Sequence, residues 1–424
     1  MASTEFIAGT DGDMSAESPI AVLKFGGTSL ATADRIRNAA RLVLLAKDRG
    51  VRPVVCASAM GHTTDDLLGL AGELSTAPRE RDLDLLLSTG EVVSCALLSI
   101  ALNEAGASAR AVTGPGAGIV TDGRYGRARI QAIDPSSLVE LVNAGIIPVV
   151  AGFQGASATG EVTTLGRGAS DTTAVALAVA LGADHCEILT DVEGIYSADP
   201  RLVPSARKLD QITYAETLEM ATLGAKVMHP RSIEVAQRHS LRVVVRSSFS
   251  DKPGTEIVSS NLIEIEKGAQ VRAVVHDADV ARFTVQGVPD RPGVAYELFL
   301  PLAEEAINVD VIVQNTAVGG ADITDISFTV GRADTGKALE IVKKIAKALG
   351  AKDVNYSDRL GKISIVGIGM QSAPGVAAKM FGTLAAKKIN ITSITTSEIR
   401  ITCLIDEDRL EEAANALHEA FGLG

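Results

Sequence analysis

The sequence I-A-V-L-K-F-G-G-T-S, from Ile20 to Ser29, decides the fold of the N-terminal part of the chain. Its apolar first half predicts a strand over Ile20–Phe25, and Gly26-Gly27 predicts a tight turn. A helix is predicted next over Thr32–Asp48, with Thr32 as its N-terminal cap and Gly50 as the residue that stops it. A strand, a glycine turn and a helix in this order form the unit from which parallel α/β sheets are built.

The same alternation continues to about Val245. Apolar strands between amphipathic helices are typical of a mainly parallel sheet covered on both faces, so we predict a three-layer α/β domain over residues 19–250. In such sheets ligands bind at the carboxyl ends of the strands. The further predicted strands are Pro53–Ala57, Ala109–Val112, Ile147–Gly152, His185–Thr190 and Arg242–Val245, and the further helices are Thr64–Ser75, Glu91–Ala105, Pro135–Ala144, Asp171–Leu181, Tyr214–Leu223 and Pro230–His239.

The composition limits the function of the chain. Its 424 residues, 46% of them hydrophobic and 3% aromatic, predict two or three domains with aliphatic cores. A net charge of −12 argues against a general nucleic-acid binder and against a protein that binds anionic membranes. It is compatible with a small anionic substrate that binds in a locally basic pocket. The most apolar stretches, Val92–Asn103 and Thr172–Ala183, have 12 residues each, fewer than the roughly 18–20 that span a bilayer. We therefore predict a soluble protein.

The cysteines, the histidines and the N-terminus predict a cytoplasmic protein without a structural metal site. The four cysteines form no C-x-x-C pair and the six histidines no H-x-x-x-H, so neither a zinc site nor a disulfide framework is expected. Residues 1–18 lack the basic and apolar regions of a signal peptide and are expected to form a disordered tail, with either Met1 or Met14 as the start.

An internal repeat follows the predicted linker, residues 251–270. Phe283–Asn315 and Ile363–Ser397 share an apolar strand, a Pro-Gly-Val turn, a helix and an Ile-Asn step into another strand, at equal spacing. Each copy continues with a strand and a helix, which predicts two ferredoxin-like α+β domains, over 271–357 and 358–424. The alternative is one continuous α+β domain in which the turns coincide by chance.

Two glycine-bearing loops carry basic residues. In the first, Lys24 precedes Gly26-Gly27, whose N–H groups could approach a phosphate closely while the lysine adds positive charge. The second, Thr164–Asp171, runs into a helix, and Arg167 between two glycines could bind a carboxylate through two hydrogen bonds. The structural alternatives are a tight turn at the first loop and simple capping of the helix by the Ser-Asp pair at the second.

Three further segments complete the predicted site. Thr190–Arg201 is too long for a structural turn and combines acids, a tyrosine and an arginine, as a nucleotide-binding loop would. Ser58–Gly61 ends a strand and Thr89-Gly90-Glu91 is expected to open a helix; singly they are a turn and a capping acid. Together the loops offer phosphate sites, an arginine for a carboxylate and Glu91 for an ammonium group, which predicts phosphoryl transfer to an amino acid. Motifs for covalent or hydrolytic catalysis are absent from the sequence.

The motifs resemble those of the aspartate kinases of the amino-acid-kinase fold, from about Ile20 to the C-terminus, and the repeats resemble ACT regulatory domains. The blocks that carry the resemblance are K-F-G-G-T-S-L (Lys24–Leu30), S-A-M-G-x-T-T-D (Ser58–Asp65), T-G-E (Thr89–Glu91), T-T-L-G-R-G-x-S-D-T-T-A (Thr163–Ala174), T-D-V-x-G-I-Y-S-A-D-P-R (Thr190–Arg201) and G-A-K-V-M-H-P (Gly224–Pro230).

The resemblance implies an ATP:L-aspartate 4-phosphotransferase acting in the first step towards lysine, threonine, methionine and diaminopimelate. The substrate's own side-chain carboxylate would be the nucleophile, and Mg²⁺ would accompany ATP. The implied catalytic residues are Lys24, which would stabilise the transferring phosphoryl group, Glu91, which would bind the ammonium group, Arg167 and Asp171. The implied substrate-binding residues are Thr64, Glu91, Arg167 and Ser170, and the implied ATP-binding residues are Lys24, Gly26, Gly27, Ser58, Thr190, Asp191, Tyr196, Asp199, Arg201 and Lys226.

The resemblance to ACT domains implies feedback inhibition by lysine, by threonine or by both. In the family the first ACT unit is inserted within the second, so Val271–Val275 is expected to supply a strand to the later repeat. The Pro-Gly-Val turns could equally be only turns. The implied effector-binding residues are Asp290, Gly293, Val294, Ala295, Asp310, Gln314, Ala377, Asn390, Ile391 and Ser397.

The chain departs from some relatives in two ways. No methionine lies between residues 229 and 369, so a short subunit begun at an internal start would need another codon. This favours a homo-oligomer, a dimer or tetramer through paired ACT domains, without excluding the mixed form. There is neither the length nor the fingerprint of a fused dehydrogenase, so a monofunctional enzyme is expected. The alternatives are a non-catalytic amino-acid sensor and a kinase of the same fold acting on glutamate, acetylglutamate or UMP.

Overall fold

The computed structural model describes residues 18–225, 227–259, 270–315, 322–370 and 374–424. The chain forms two compact units, and neither is continuous in sequence. The first takes its described residues from Met1–Ile195, Lys208–Thr217 and Val227–Ile263, and the second takes them from Tyr196–Arg207, Leu218–Lys226 and Glu264–Gly424.

The first unit is built on an eight-stranded sheet and a smaller four-stranded one. Its strands are β1 (Ile20–Phe25), β2 (Arg52–Ala57), β3 (Ala109–Val112), β4 (Ile119–Thr121), β5 (Ile130–Ile133), β6 (Ile147–Ala151), β7 (Gln154–Ser157), β8 (Val162–Thr164), β9 (His185–Thr190), β10 (Gln211–Thr213), β11 (Arg242–Ser247) and β12 (Thr255–Val258). Its helices are α1 (Ala33–Asp48), α2 (Thr63–Leu74), α3 (Glu80–Glu104), α4 (Ser136–Asn143), α5 (Ser170–Ala180), α6 (Tyr214–Thr222), whose second half belongs to the second unit, and α7 (Pro230–Arg238).

The large sheet has the strand order β10-β12-β11-β9-β1-β2-β6-β3, and β11 with β12 is its one antiparallel pair among the described strands. Leu23 and Phe25 of β1 are fully buried, because helices cover the sheet. Thr32 caps α1 by accepting a hydrogen bond from the N–H of Arg35, and Gly50 follows the helix with a φ of +87°, which glycine adopts without strain. The predicted α/β fold with a mainly parallel sheet is confirmed.

One sequence prediction within this unit was wrong, and one sheet was missed. The helix α3 begins at Glu80 and not at Glu91, so Thr89-Gly90-Glu91 lies within a helix of 25 residues instead of opening one. By length and composition α3 could cross a membrane, but half of its most apolar window is buried inside the protein, as in a core helix. The small sheet, with the order β5-β4-β7-β8, was not predicted because its strands have only three or four residues.

The second unit contains two four-stranded antiparallel sheets. The first repeat forms β14 (Ala281–Pro289), α8 (Val294–Glu304), β15 (Asp310–Gln314), β16 (Ile323–Val330), α9 (Thr335–Leu349) and β17 (Asp353–Ser357), after β13 (Gln270–Asp277). The second forms β18 (Leu360–Ile368), α10 (Val376–Ala386), β19 (Ser393–Thr396), β20 (Arg400–Asp406) and α11 (Leu410–Ala420). The sheet orders are β15-β16-β14-β17 and β13-β18-β20-β19.

The two repeats match in backbone detail. Gly293 and Gly375 precede helices of 11 residues each with φ values of +95° and +103°, a conformation that favours glycine. The strand β13 pairs antiparallel with β18, so Val271–Val275 contributes to the sheet of the second repeat.

The segment Tyr196–Arg207 packs within the second unit. Ala198 and Val203 are buried in the same core as Leu417 of α11. Ser197 and Ser205 contact opposite ring nitrogens of His418, Nε2 at 2.9 Å and Nδ1 at 3.2 Å. This stretch of the chain is therefore anchored by the C-terminal helix.

Candidate active site

Four parallel strands of the first unit end at one level. Phe25 at the end of β1 lies opposite Ala57 of β2 and Leu189 of β9, and Ala57 lies opposite Ala151 of β6. The loops that follow these strands therefore meet at one edge of the sheet. These loops, together with the start of α5 and the buried face of α3, form the candidate site.

A buried ion pair lies at the centre of this edge. Lys24 Nζ, near the end of β1, is 2.6 Å from Asp171 Oδ1 in the first turn of α5, and the two side chains are only 11% and 9% exposed. The other oxygen of Asp171 accepts a hydrogen bond from the N–H of His229, just before α7. The ammonium group of Lys24 is thus held in a fixed position, where it can neutralise an incoming anion.

The two glycines after β1 allow a close backbone approach. A Cβ atom at Gly27 would lie 2.7 Å from the carbonyl oxygen of Ala59, so only glycine fits there without a shift of the backbone. Gly26 donates its N–H to Leu189 O, and Ser58 donates its N–H to Phe25 O. These two N–H groups already donate within the protein, so what the cradle beside Lys24 offers an incoming phosphate is the positive charge of the lysine.

Glu91 lies on the face of α3 that points to the loop after β2. It is 3% exposed, and its Oε1 accepts a hydrogen bond from the N–H of Ala59 at 3.1 Å. Its Oε2 is buried with no hydrogen-bond partner among the described residues. Burial raises the pKa of Glu91 to about 7. A cation that reached Oε2 would therefore satisfy a buried acceptor and lower that pKa again.

Arg167 lies between Gly166 and Gly168, which have φ values of +90° and +75°. Its side chain is 74% exposed, and its Nη2 pairs with Asp65 Oδ1 at 2.5 Å. Such exposed pairs are worth about 1 kcal/mol or less, so Arg167 can exchange Asp65 for another carboxylate at small cost. Thr64, next to Asp65, is half-buried in the first turn of α2.

The remaining residues predicted for the nucleotide are divided between the units. Thr190 ends β9 in the first unit, and its hydroxyl donates to the exposed Asp191. Tyr196, Asp199 and Arg201 belong to the second unit, in which Arg201 Nη2 is 2.7 Å from Asp199 Oδ2 and lowers the pKa of that carboxyl. Lys226 lies outside the described residues.

Three residues of the edge were not singled out from the sequence. Asp84 of α3 is 1% exposed and binds the loops that surround Arg167. Arg231 of α7 donates to the carbonyl oxygens of Leu165 and Ala128. Phe153, just after β6, is buried with a φ of +68°, and its N–H donates to Thr173. A left-handed φ at a bulky residue is costly, which is typical of functional sites.

The predicted effector residues lie in the second unit, around the two repeats. Gly293 caps α8, Asp310 and Gln314 bound β15, and Ala377 is in α10. Asp290, Ala295 and Asn390 are exposed, Val294 is buried and Ile391 is partly buried. Ser397 accepts a hydrogen bond from the N–H of Ile399. Asp310 pairs with Lys362 at 2.6 Å; burial raises the pKa of Asp310, but the hydrogen bond and charge of Lys362, together with the N–H of Val311 and the charge of Arg400, leave the pKa lowered.

Comparison with known proteins agrees with this architecture. The amino acid kinase family matches residues 19–247, and ACT domains match residues 283–347 and 363–421. The aspartokinase of Mycolicibacterium smegmatis is 48% identical over 407 residues, which is 96% of each chain. The chain belongs to the aspartokinase family. Among solved structures, Escherichia coli aspartokinase III in complex with aspartate and ADP (R-state) has a TM-score of 0.79 at 29% identity, covering 95% of this chain and 99% of that one.

A second structure of the E. coli aspartokinase, in complex with lysine and aspartate (T-state), has a TM-score of 0.71 at 28% identity and the same coverage. Together, these matches confirm the predicted aspartate kinase family and the two predicted ACT domains.

Proposed function

We propose that the enzyme transfers the γ-phosphoryl group of ATP to the side-chain carboxylate of L-aspartate, giving 4-phospho-L-aspartate and ADP. One carboxylate oxygen of aspartate forms the new bond to phosphorus, and the bond between phosphorus and the oxygen that leaves with ADP breaks. The family supports this reaction, and a relative was solved with aspartate and ADP. No enzyme nucleophile is needed, so positioning and charge neutralisation provide the catalysis.

The observation that carries the proposal is Glu91. Its buried Oε2 lacks a hydrogen-bond partner among the described residues, while Lys24 at the same edge already faces Asp171. A buried acceptor of this kind is matched by the ammonium group of an amino acid. Arg167, in its exchangeable exposed pair, would bind a carboxylate of the substrate. Thr64 and Ser170 complete the proposed substrate site.

ATP would bind where the backbone closes around Gly26 and Gly27, with Lys24 neutralising charge on the phosphates. The described residues contain no group of three or more His, Cys, Asp or Glu that could hold a metal ion. Mg²⁺ would be bound together with ATP and would neutralise charge on the phosphates. The other proposed ATP contacts are Ser58, Thr190, Asp191, Tyr196, Asp199, Arg201 and Lys226.

A coupled assay of ADP release with aspartate, ATP and Mg²⁺ tests the proposal, and hydroxylamine trapping of the acyl phosphate gives an independent measurement. We expect both signals to require aspartate. Turnover with glutamate, acetylglutamate or UMP but not with aspartate would contradict it. If the protein bound lysine or threonine but transferred no phosphoryl group, it would be a non-catalytic amino-acid sensor.

We propose in addition that lysine, threonine or both inhibit the enzyme through the repeats of the second unit, and that it acts in the cytoplasm, in the first step towards these amino acids, methionine and diaminopimelate. The solved complex of a relative with lysine supports an amino-acid effector. Paired ACT domains would join copies into a dimer or tetramer. Inhibition curves with each amino acid, singly and mixed, and the mass in solution test these points.

A further inference from the structure

Asp84 is a buried acid at the candidate site with a full set of neutral partners. Its Oδ1 accepts from the N–H of Gly126 at 2.9 Å and from the hydroxyl of Thr164 at 2.6 Å. Its Oδ2 accepts from the N–H of Thr164 at 2.8 Å and again from Gly126 at 3.0 Å. One carboxylate therefore joins two segments that lie 42 and 80 residues further along the chain.

The two segments that Asp84 joins are the start of the loop that carries Arg167 and the hairpin next to that loop. Thr164 ends β8, three residues before Arg167, and a Cβ atom at Gly166 would lie 3.4 Å from Gly126 O. Ala128, in the same hairpin as Gly126, donates its N–H to Thr164 O. The loop that carries Arg167 is thus pressed against the hairpin that Asp84 holds.

Arg231 holds the same two segments from the side of α7. Its Nη1 donates to Leu165 O at 2.8 Å and its Nη2 to Ala128 O at 3.1 Å. The loop before Arg167 is therefore clamped by a carboxylate on one helix and a guanidinium on another. These contacts fix the N-terminal end of the loop. The backbone position of Arg167 is therefore defined, although its side chain is exposed.

Asp84 and Glu91 lie on one face of α3. They are seven residues apart, which is nearly two full turns and about 10 Å along the axis. The same rigid helix thus carries the acid proposed to bind the ammonium group and the acid that holds the loop of the carboxylate-binding arginine. The positions of Glu91 and of the anchored loop that carries Arg167 are therefore both fixed relative to this one helix.

We propose that Asp84 is a positioning residue for the amino-acid substrate, acting through the backbone of the Thr164–Gly168 loop and hence through Arg167. This inference rests on the proposed aspartate site and extends it to a residue that does not touch the substrate. Replacing Asp84 with an amide keeps the shape of the side chain but turns an NH₂ group towards N–H and O–H donors. The loop then loses part of its anchor.

The experiment compares Asp84→Asn with Asp82→Asn, an exposed acid in the first turn of the same helix. For Asp84→Asn we expect the KM for aspartate to rise on the order of 10- to 100-fold, the loss typical of a misplaced binding group. The KM for ATP should stay within about twofold, because the cradle beside Lys24 is formed by other loops. Asp82→Asn should leave both KM values unchanged.

A double-mutant cycle separates positioning from a general structural role. In an Arg167→Ala background, Asp84→Asn should raise the KM for aspartate by less than about twofold further, because both changes remove one interaction. Thr164→Val, which deletes only the hydroxyl donor, should raise this KM in the same direction and keeps the test available if Asp84→Asn fails to fold.

Equal effects on the two KM values, or an undiminished effect in the Arg167→Ala background, would overturn the role of Asp84 while leaving the proposed function intact. If Thr164→Val alone leaves the KM for aspartate unchanged, the anchor is likewise refuted. A wild-type protein that releases no ADP with aspartate would refute the proposed function, and the inference with it.

Discussion

Asp171 and Glu91 are two buried acids at the same edge of the sheet, and they differ in what faces them. Asp171 has Lys24 at 2.6 Å and the N–H of His229 at 3.2 Å. Glu91 has one backbone N–H and an oxygen with no hydrogen-bond partner among the described residues. The first acid belongs to a pair that is complete in the protein itself, whereas the second acid has an open acceptor, which we propose that the ammonium group of the substrate fills.

The difference separates two tasks within one site. A paired lysine is held rigidly and needs no reorganisation when charge develops on a phosphoryl group. An unpaired buried carboxylate destabilises the free protein and releases that free energy when an ammonium group binds. The substitutions below test whether the two acids differ in this way.

Removal of Lys24 should have the largest effect. Lys24→Ala is expected to lower kcat by on the order of 10²–10³, the loss typical of one transition-state donor. It also leaves Asp171 buried without its cation, so the protein should lose on the order of 3–5 kcal/mol of stability. Steady-state kinetics at saturating substrates and thermal unfolding measure the two effects, with Lys47→Ala at the end of α1 as the control. A near-normal kcat would remove Lys24 from this role.

Glu91→Gln should act on binding and should not destabilise the protein. Loss of a charge-assisted hydrogen bond predicts an increase of roughly 10- to 100-fold in the KM for aspartate. The free protein should be at least as stable as the wild type above pH 7, because a buried charge has been removed. Thermal unfolding and initial rates measure this, and Glu104→Gln on the same helix is the control. A marked loss of stability would show that Glu91 is already paired.

The pH dependence should report Glu91 directly. Its pKa is raised by burial from 4.5 to about 7, so below pH 7 the carboxyl is increasingly protonated and cannot bind an ammonium group. We expect kcat/KM for aspartate to fall about tenfold per pH unit below pH 7, and Glu91→Gln to lack this limb. The same raised pKa means that the free protein loses stability as pH rises through 7. A flat profile in the wild type would contradict the assignment.

The smallest effect concerns a buried group with neutral partners in the second unit. His418 lies between Ser197 and Ser205, and burial lowers its pKa. The unfolded chain binds a proton near pH 6.5 that the folded protein resists, so stability should fall as pH decreases below about 6.5. We expect the Tm of the wild type to drop by about 2–4 °C more than that of His418→Gln. Equal pH dependence of the two Tm values would exclude His418 as the cause.

Local signals predicted the parts of the fold that depend on neighbours in sequence. Three such features are the strand at Ile20–Phe25, the cap at Thr32 and the stop at Gly50. Each of them depends only on residues that are close to it in the sequence. The start of α3 was missed although Glu80 and Asp82 are acids of its first turn, because Gly90 interrupts the helical pattern. That glycine is explained only by the fold: a Cβ there would lie 3.0 Å from the Cβ of Ala59.

The site was predictable where chemistry shows in the residue types, and not where it depends on distant contacts. Lys24 lies two residues before a glycine pair and Arg167 lies between two glycines, and both patterns are visible in the sequence. Asp84 looks like any acid near a helix start, and its partners Gly126 and Thr164 are far along the chain. The separation of Tyr196–Arg207 into the second unit was equally hidden, because it depends on packing against α11.

The packing of Tyr196–Arg207 against α11 limits how the chain can be divided into fragments. The chain leaves the first unit after Ile195 and returns at Lys208, and Ala198 and Val203 of the excursion are buried by residues near the C-terminus. A protein truncated near residue 250 would leave these side chains uncovered and would lack His418, the hydrogen-bond partner of Ser197. A fragment of the chain can therefore keep this segment covered only if it also contains the C-terminal helix.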